Sequence, residues 1–591
     1  MEKWILHNKR GDFQGIGRKY GIDPVIARIM INRGVNEEEG IRRYLQGTLD
    51  DLYEPMLLLD MEKAVTLLVD AIDRGEVIAI ASDFDVDGIF SSMILHTAFT
   101  TVGAKCFVET PNRVTEGYGL NRRIVDDAVE KGAGLLITCD NGIAALDAVT
   151  YAKEKGLTVI VTDHHEVPFE EQEDGSRTYI KPEADAIVNP KQKECTYPFP
   201  KLCGAGVTFK LSQVLYRHYN IDKNALEPLI EYAAIATVAD VMDLEDENRI
   251  IVKCGLEMLK HTKNKGLRAI LEVNNLLDCD IKAYHIGFII GPCFNAAGRL
   301  ETVKAALDLL MCQDDKEANI MASDLKALNE SRKEMTRKGE EQAISLIEES
   351  DIVKDKIILV KLQDCHESLV GIIAGRIRER YHKPVLIFVD VEEGIKGSGR
   401  SIEAYNMFEE LLKCKDILGR FGGHPMAAGL SLPLENLNEL RRRLNENTTL
   451  TEEDFRAKVM IDVPMPIDYI SEKLIDQLNI LEPFGKGNEK PLFAEQHFRI
   501  ISGAIIGKNK NVFKAKITNP KNVRMDAIYF GDIEQFTRFL KEEYGEDEYN
   551  KMIHGEANHI DIGFTYYPSV NEYNGRRRIQ IVIQNYTRIQ K

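Results

Sequence analysis

Residues 77–88 read Val77-Ile78-Ala79-Ile80-Ala81-Ser82-Asp83-Phe84-Asp85-Val86-Asp87-Gly88: a short apolar run, then three carboxylates in five positions, then a glycine. A run of that length that stops at polar residues and a glycine predicts a buried strand ending in a sharp turn. Gly88 to about Thr100 then reads as a helix. The alternation continues outward, with strands at Lys105 to Glu109, Leu135 to Thr138 and Thr158 to Thr162, and helices at Asn121 to Lys131 and Ala144 to Lys155. A β-α-β-α-β-α-β repeat of this kind implies an α/β fold with a parallel sheet covered by helices.

Three strand ends carry chemistry. The first ends in Asp83, Asp85 and Asp87, the third in Asp140-Asn141-Gly142, and the fourth in Asp163-His164-His165. In an open α/β sheet ligands bind beyond the carboxyl ends of the strands, so these groups should meet in one crevice. Three carboxylates so close repel one another and resist desolvation, whereas hard divalent cations with oxygen ligands reverse that cost. Carboxylates with a few imidazoles favour Mn²⁺ or Mg²⁺ over thiol-seeking zinc. A calcium loop is the alternative for D-x-D-x-D-G, but the position six beyond the glycine is Ile94, not a bidentate Glu, and a strand precedes instead of a helix. Taken singly, Asp140 is a natural helix cap and a His pair is ordinary surface; their joint placement on one sheet edge is what points to a site.

Farther along, residues 205–310 are mostly helical, and residues 315–349 are highly charged yet keep apolar positions at Ile320, Met321, Leu325, Leu328, Met335, Ile344 and Ile347. That pattern predicts one long connector helix. A second α/β segment follows, with strands at Lys356 to Lys361 and Pro384 to Val389 around a helix at Leu369 to Tyr381. From about 455 the chain turns β-rich, with strands expected at 497–506, 512–518, 525–530, 558–567 and 577–586, as in a small oligonucleotide-binding barrel.

The 591 residues hold 76 Lys+Arg against 94 Asp+Glu, a net charge of −18, so no diffuse cationic field coats the surface; local basic clefts remain open. Ten unpaired cysteines without a CxxC motif read as reduced thiols, neither a disulfide framework nor a zinc site. No stretch reaches the ~18 uncharged apolar residues of a membrane span, and the expected location is the cytoplasm.

The ordered motifs resemble those of the DHH phosphoesterase superfamily, and in detail its branch of single-strand-specific 5′→3′ DNA exonucleases. The motifs are Asp83-x-Asp85-x-Asp87-Gly88, Pro111-Asn112-Arg113 with Glu116-Gly117-Tyr118-Gly119, Asp140-Asn141-Gly142, Asp163-His164-His165, and Thr237 to Met242 around Asp240. They continue through Asn295 to Arg299, Gly397-Ser398-Gly399-Arg400-Ser401, Gly422-Gly423-His424 and Pro483-Phe484-Gly485-x-Gly487-Asn488. The resemblance implies an N-terminal segment (1–50), a DHH catalytic domain with a helical part (51–312), a connector helix (313–350), a smaller α/β DHHA1 substrate-binding domain (351–450) and an OB-like β-barrel that binds nucleic acid (451–591).

It further implies a two-metal phosphodiesterase that releases mononucleotides from the 5′ end of single-stranded DNA, in repair and recombination. Asp85, Asp87, Asp140, His164 and Asp240 would ligate two Mn²⁺ or Mg²⁺ ions, Asp140 bridging them and Asp83 acting as a ligand or its neighbour. His165 would face the scissile phosphate, and Asp163 would orient the histidines. Asn112, Arg113, Arg299, His366, Arg376, Ser398, Arg400, Ser401, Gly422, Gly423 and His424 would hold the strand. Single-stranded DNA is the expected partner, with a helicase and a single-strand-binding protein as further partners, no membrane, and a monomeric chain.

In the barrel, Lys508, Lys510, Lys514, Lys516 and Arg576-Arg577-Arg578, with Tyr566, Tyr567, Tyr573 and Tyr586, suit a groove that follows phosphates and stacks bases. Three features depart from the family pattern. Ala81-Ser82 offers no histidine before the Asp triplet, Cys293 stands where relatives carry Arg and so removes a cationic contact, and residues 169–184 form an acidic insertion. Two rival functions are a DHH enzyme acting on short oligonucleotides or cyclic dinucleotides, which usually lacks a C-terminal barrel, and an inactive scaffold, which predicts eroded ligands.

Overall fold

Strand β1 (Val77–Ser82) alternates its apolar side chains between two cores: Ile78 and Ile80 join one hydrophobic cluster, Ala79 and Ala81 the other. A computed structural model describes residues 2–113, 115–171, 176–300, 302–573 and 575–589. In it β1 lies inside a five-stranded parallel sheet with β2 (Lys105–Glu109), β3 (Ala133–Cys139), β4 (Thr158–Thr162) and β5 (Ala186–Val188), in the order β2-β1-β3-β4-β5. Helices α1 (Val86–Thr101), α4 (Gly204–His218) and α5 (Glu227–Ala239) fill the first core. Helices α2 (Arg122–Glu130) and α3 (Leu146–Glu154) fill the second. Each fully buried aliphatic or aromatic side chain there contributes about 1.5–3 kcal/mol. The strand order reverses between β1 and β3, which places the ligand crevice at their carboxyl ends.

These elements belong to a unit spanning residues 47–455. The 34-residue helix α7 (Asp315–Glu348), about 51 Å long at 1.5 Å per residue, runs through it. Its first half buries Ala318, Ala322 and Leu325 in the core of the first sheet, and its second half buries Ala343 and Ile347 against a second sheet. That sheet has the order β9 (Phe421–His424), β10 (Ala427–Leu432), β8 (Gly394–Arg400), β7 (Val385–Val391), β6 (Ile358–Lys361), with only β6 and β7 parallel. Helix α8 (Val370–Tyr381) packs on it.

The glycines of β8 follow the strand rule. Gly397 and Gly399 face inward, where a Cβ would lie 2.5 Å from the Phe388 ring and 2.2 Å from the Met407 sulfur, so these two are demanded by packing. Ser398 and Arg400 point to the opposite face, beside Gly371.

Residues 1–46 and 456–591 form the other unit. Its barrel closes through β11 (Phe493–Ile506), β12 (Val512–Thr518), β13 (Arg524–Tyr529), β15 (Arg576–Arg588) and β14 (Asp561–Tyr573), which returns to pair with β11. Helices Phe13–Tyr20, Pro24–Asn32 and Glu38–Gln46 join its core. Asn488 is a structural hub here: its amide donates to the Leu481 and Pro483 carbonyls at 2.8 Å, and its oxygen accepts from Tyr44 Oη at 2.7 Å and from Arg33.

The barrel corrects one expectation. Tyr566 is wholly buried with its hydroxyl on the Met465 carbonyl, and Tyr567 is buried under the Lys490 ammonium, 3.8 Å from the ring centre. Tyr586 packs on Phe536 and Phe539. Tyr566 and Tyr567 thus build the core and offer no stacking face, because β14 places them inward, and Tyr586 packs against the same core while half-buried; the Tyr573 side chain lies outside the described residues. Lys508, Lys510, Lys514, Lys516 and Arg576 to Arg578 are exposed. No helix among the described residues is long and apolar enough to cross a membrane.

Candidate metal and phosphate site

The three carboxylates after β1 diverge at once, unlike those of a calcium loop. Asp83 accepts from Gly119 N at 3.2 Å and keeps a buried Oδ2 without a donor. Asp85 caps α1, accepting from Gly88 N at 3.1 Å. Asp87 is pinned by Gly204 N (2.7 Å) and Ala205 N (2.8 Å) at the start of α4. Gly88 and Gly204 permit this crowding: a Cβ on Gly88 would lie 2.6 Å from the Asp83 carbonyl, and one on Gly204 2.6 Å from Asp140 Cβ.

Asp140 follows β3 with φ 59°, a strained left-handed conformation for a non-glycine residue, and its buried Oδ1 has no donor. His164 Nε2 stands 3.1 Å from Asp140, 3.6 Å from Asp87 and 3.8 Å from Asp240, which ends α5. Ligand atoms of Asp87, His164 and Asp240 gather within 4.8 Å of one another, as do those of Asp83, Asp85 and Asp140, and those of Asp140, His164 and His165. Asp140 belongs to two of the groups. Two buried carboxylate oxygens without donors, in a set of carboxylates with two imidazoles, fit hard divalent cations.

The electrostatics agree. Burial, reinforced by Asp85, pushes Asp83 up to about 8; burial, with Asp87 and Asp85, does the same to Asp240. Burial and the neighbouring carboxylates also raise Asp85 and hold Asp140 well above the usual range. Burial pushes His164 down.

Asp163 is the positioning group. Its Oδ1 accepts from the backbone of His164 (2.7 Å) and His165 (3.1 Å) and meets His165 Nδ1 at 2.7 Å, while Oδ2 accepts from Ile143 N at 2.9 Å. Burial opposes a charge on His165, but the Asp163 contact outweighs it and raises the imidazole. Tyr118 donates to the Asp140 carbonyl at 2.6 Å and stands 3.1 Å from His165 Nδ1.

Beside this acidic centre stand four partly buried arginines from four elements: Arg113 after β2, Arg299 at the end of helix α6 (Gly291–Leu300), Arg332 on α7 and Arg400 on β8. Arg113 lies over the Phe84 ring at 4.6 Å, Arg299 donates to the Ser368 carbonyl at 2.8 Å, Arg332 to Asn329 Oδ1 at 3.1 Å, and Arg400 to Ser398 Oγ at 3.1 Å. None of the four forms an ion pair with a carboxylate among the described residues. Burial, then the charges of Arg113, Arg332 and, after an opposing pull from Asp85, Arg400, push Arg299 down to about 9. Such a cluster is built for an anion.

Of the other residues expected to contact the strand, several are engaged within the fold and the rest lie exposed. Asn112 Oδ1 accepts from Thr115 N at 3.1 Å within its own turn. His366 caps the turn at 367–369 and meets Ser368 Oγ at 2.8 Å. Arg376 pairs with Glu340 at 2.7 Å, tying α8 to α7. Ser401 is buried and donates to the Tyr405 carbonyl at 2.6 Å. Gly422, Gly423 and His424 lie on the exposed edge strand β9.

Cys293 is fully buried with two amide contacts, Asn274 Nδ2 at 3.9 Å and Asn329 Nδ2 at 3.7 Å, the second from the side chain that also accepts from Arg332. The insertion begins and ends as a hairpin of Phe169–Glu171 and Arg177–Tyr179; Glu173 and Asp174 lie outside the described residues. Sequence reasoning missed Tyr118 as a contact of His165, and it missed Arg332, whose surroundings in a charged helix read as a solvated face. Glycines on both sides of Tyr118 were the available signal for the first; nothing local marks the second.

The comparisons agree with this geometry. Family models for the DHH family N-terminal domain, the DHHA1 domain and the RecJ OB domain match residues 77–239, 354–449 and 461–585. The chain is 35% identical over 588 residues to the single-stranded-DNA-specific exonuclease RecJ of Bacillus subtilis, covering 99% of this chain and 70% of that one. It is 31% identical to the Escherichia coli protein of the same name over 585 residues, 95% and 96% of the two chains. Its fold superposes on the crystal structure of RecJ in complex with Mn²⁺ from Thermus thermophilus with a TM-score of 0.80 at 24% identity, covering 100% of this chain and 80% of that one. The chain therefore belongs to the RecJ family of single-stranded-DNA-specific exonucleases.

Proposed function

We propose that this chain hydrolyses linear single-stranded DNA from the 5′ end, one mononucleotide at a time, using two Mn²⁺ or Mg²⁺ ions. One observation carries the reading: carboxylates with unsatisfied buried oxygens stand beside four arginines that pair with no described carboxylate. The first cluster suits cations and the second suits phosphates. In support, relatives of known structure are described in complex with Mn²⁺ and with Mg²⁺.

In this reading Asp85, Asp87, Asp140, His164 and Asp240, with Asp83 beside them, would hold the ions. There they would supply an activated water and charge neutralisation at the leaving oxygen. The chain's own residues do the rest. Arg113, Arg299 and Arg400, with Ser398, hold the terminal phosphate and the next one, so the scissile bond stops one nucleotide from a 5′ end. Asp163, engaging Nδ1, holds the His165 ring beside the carboxylates, where it faces the scissile phosphate. The protein acts as a cytoplasmic monomer in DNA repair and recombination, on strands exposed by a helicase and shared with a single-strand-binding protein.

Strands labelled at either end and incubated with and without Mn²⁺ test this. Labelled mononucleotide should appear first from the 5′ end, only with metal, and a single-stranded circle should stay intact. Cleavage of the circle, or first release from the 3′ end, refutes the reading.

A further inference from the structure

Two aromatic side chains on the surface of residues 47–455 have no role in the chemistry above. Tyr284 and Phe288 are 62% and 65% exposed, and their rings stack on each other at 4.9 Å and 26°. They sit on Ala283–His285 and the π-helical turn Ile286–Ile290 that leads into α6. π-Helical turns often mark functional sites. Water contact at two adjacent large rings is unfavourable unless something covers them.

Their position is set by two glycines. A Cβ on Gly291 would lie 3.3 Å from Ala239 Cβ, and one on Gly287 3.8 Å from Val238 Cγ1, so this turn packs on the last residues of α5, next to Asp240. Val241, immediately after that carboxylate, is itself 61% exposed with φ 55°. The turn that carries Tyr284 and Phe288 thus adjoins the end of α5 that bears Asp240, where Val241 adds a third exposed apolar side chain. The arginines stand on other elements: the loop after β2, the far end of α6, α7 and β8. Of the tyrosines expected to stack bases in the barrel, Tyr566 and Tyr567 are buried and do not offer this surface.

We propose that Tyr284 and Phe288 form a base-stacking platform for the single strand where it runs beside the catalytic cleft. The inference rests on the nuclease reading above and commits to nucleobases as the occupant, because the rings adjoin the Asp240 end of the cleft. Base–aromatic stacking is sequence-tolerant, as an exonuclease that traverses any strand requires.

The test uses the full chain with Mn²⁺ and 5′-phosphorylated strands of about 20 nucleotides, a length that spans an extended single-strand site. Tyr284→Ala with Phe288→Ala should raise KM about 5- to 100-fold, by more than it changes kcat. An abasic site walked along the strand should raise KM for the unaltered protein at one or two positions and add nothing at those positions in the double variant. Tyr284→Trp with Phe288→Trp keeps both the low KM and the abasic penalty, so the idea stays testable should the alanine pair misfold. An unchanged KM in the alanine pair, or an abasic penalty of equal size in the unaltered protein and the alanine pair, overturns the platform. A strand left intact by the unaltered protein overturns the nuclease reading instead.

Discussion

The acidic centre and the arginine wall are both crowded like-charge clusters, yet they relieve their strain in opposite ways. The carboxylates can take protons, and Asp83 and Asp240 do so at about 8. The guanidiniums cannot shed theirs near neutrality: even Arg299, at about 9, stays charged. The acidic cluster can therefore wait for metal in a protonated form, whereas the basic one is cationic near neutral pH and depends on an anion. Metal loading should follow pH, and strand capture should follow salt.

The strongest way to break this contrast is Asp140→Ala. Loss of the shared carboxylate should cut turnover by about 10²–10³-fold or more while circular dichroism shows the fold retained; activity within a few-fold of the unaltered chain would remove the proposed metal centre. Arg400→Ala acts on the other cluster. Its kcat/KM for a 5′-phosphorylated strand should fall about 10- to 100-fold, and the advantage of that strand over a 5′-hydroxyl strand should shrink. If both strands lose equally, Arg400 does not read the terminal phosphate.

Arg332→Ala sharpens the salt side. The slope of log(kcat/KM) against log[salt] should flatten by about 0.7 for one lost phosphate contact on a single strand, and an unaltered slope would assign Arg332 to packing with Asn329 alone. The smallest effect concerns the metal-free chain. Asp83 and Asp240 have folded-state values raised to about 8 from an ordinary 3.8. Their contribution to stability is thus complete below about 4 and lost as pH rises through about 8. Saturating Mn²⁺ should raise Tm more at pH 8 than at pH 6, since binding must displace protons. At about 100 times Kd the gain is about 2.7 kcal/mol. An equal or larger shift at pH 6 would show that these carboxylates are not the ligands.

Much of this was legible in the sequence because strand ends and carboxylates are local signals. The strands Lys105 to Glu109 and Thr158 to Thr162 fall where periodicity puts them, and Asp83, Asp140 and His164 meet where the strand order predicts. Local signals fail where a neighbour decides the role. Gly397 and Gly399 stand in a motif expected to hold the strand, but Phe388 and Met407 explain these two by packing. Tyrosines in the last two barrel strands suited base stacking until alternation turned Tyr566 inward. Nothing local to Cys293 announces its neighbour Asn329, 36 residues away on another helix.

Helix α7 contributes to both clusters' surroundings through one continuous rod, and that imposes a phase relation. Its start is locked by Ala318, Ala322 and Leu325, its end by Ala343 and Ile347, with Arg332 between them. Each residue of an α-helix adds about 100° of rotation as well as about 1.5 Å of rise. Lengthening this rod by a single residue would swing the second sheet around the axis as it moved outward, carrying Ser398 and Arg400 away from Arg113 and Arg299. The wet side of this helix can change composition without moving either sheet but its residue count cannot, so its length acts as a ruler between the acidic cluster and the arginines of the second sheet.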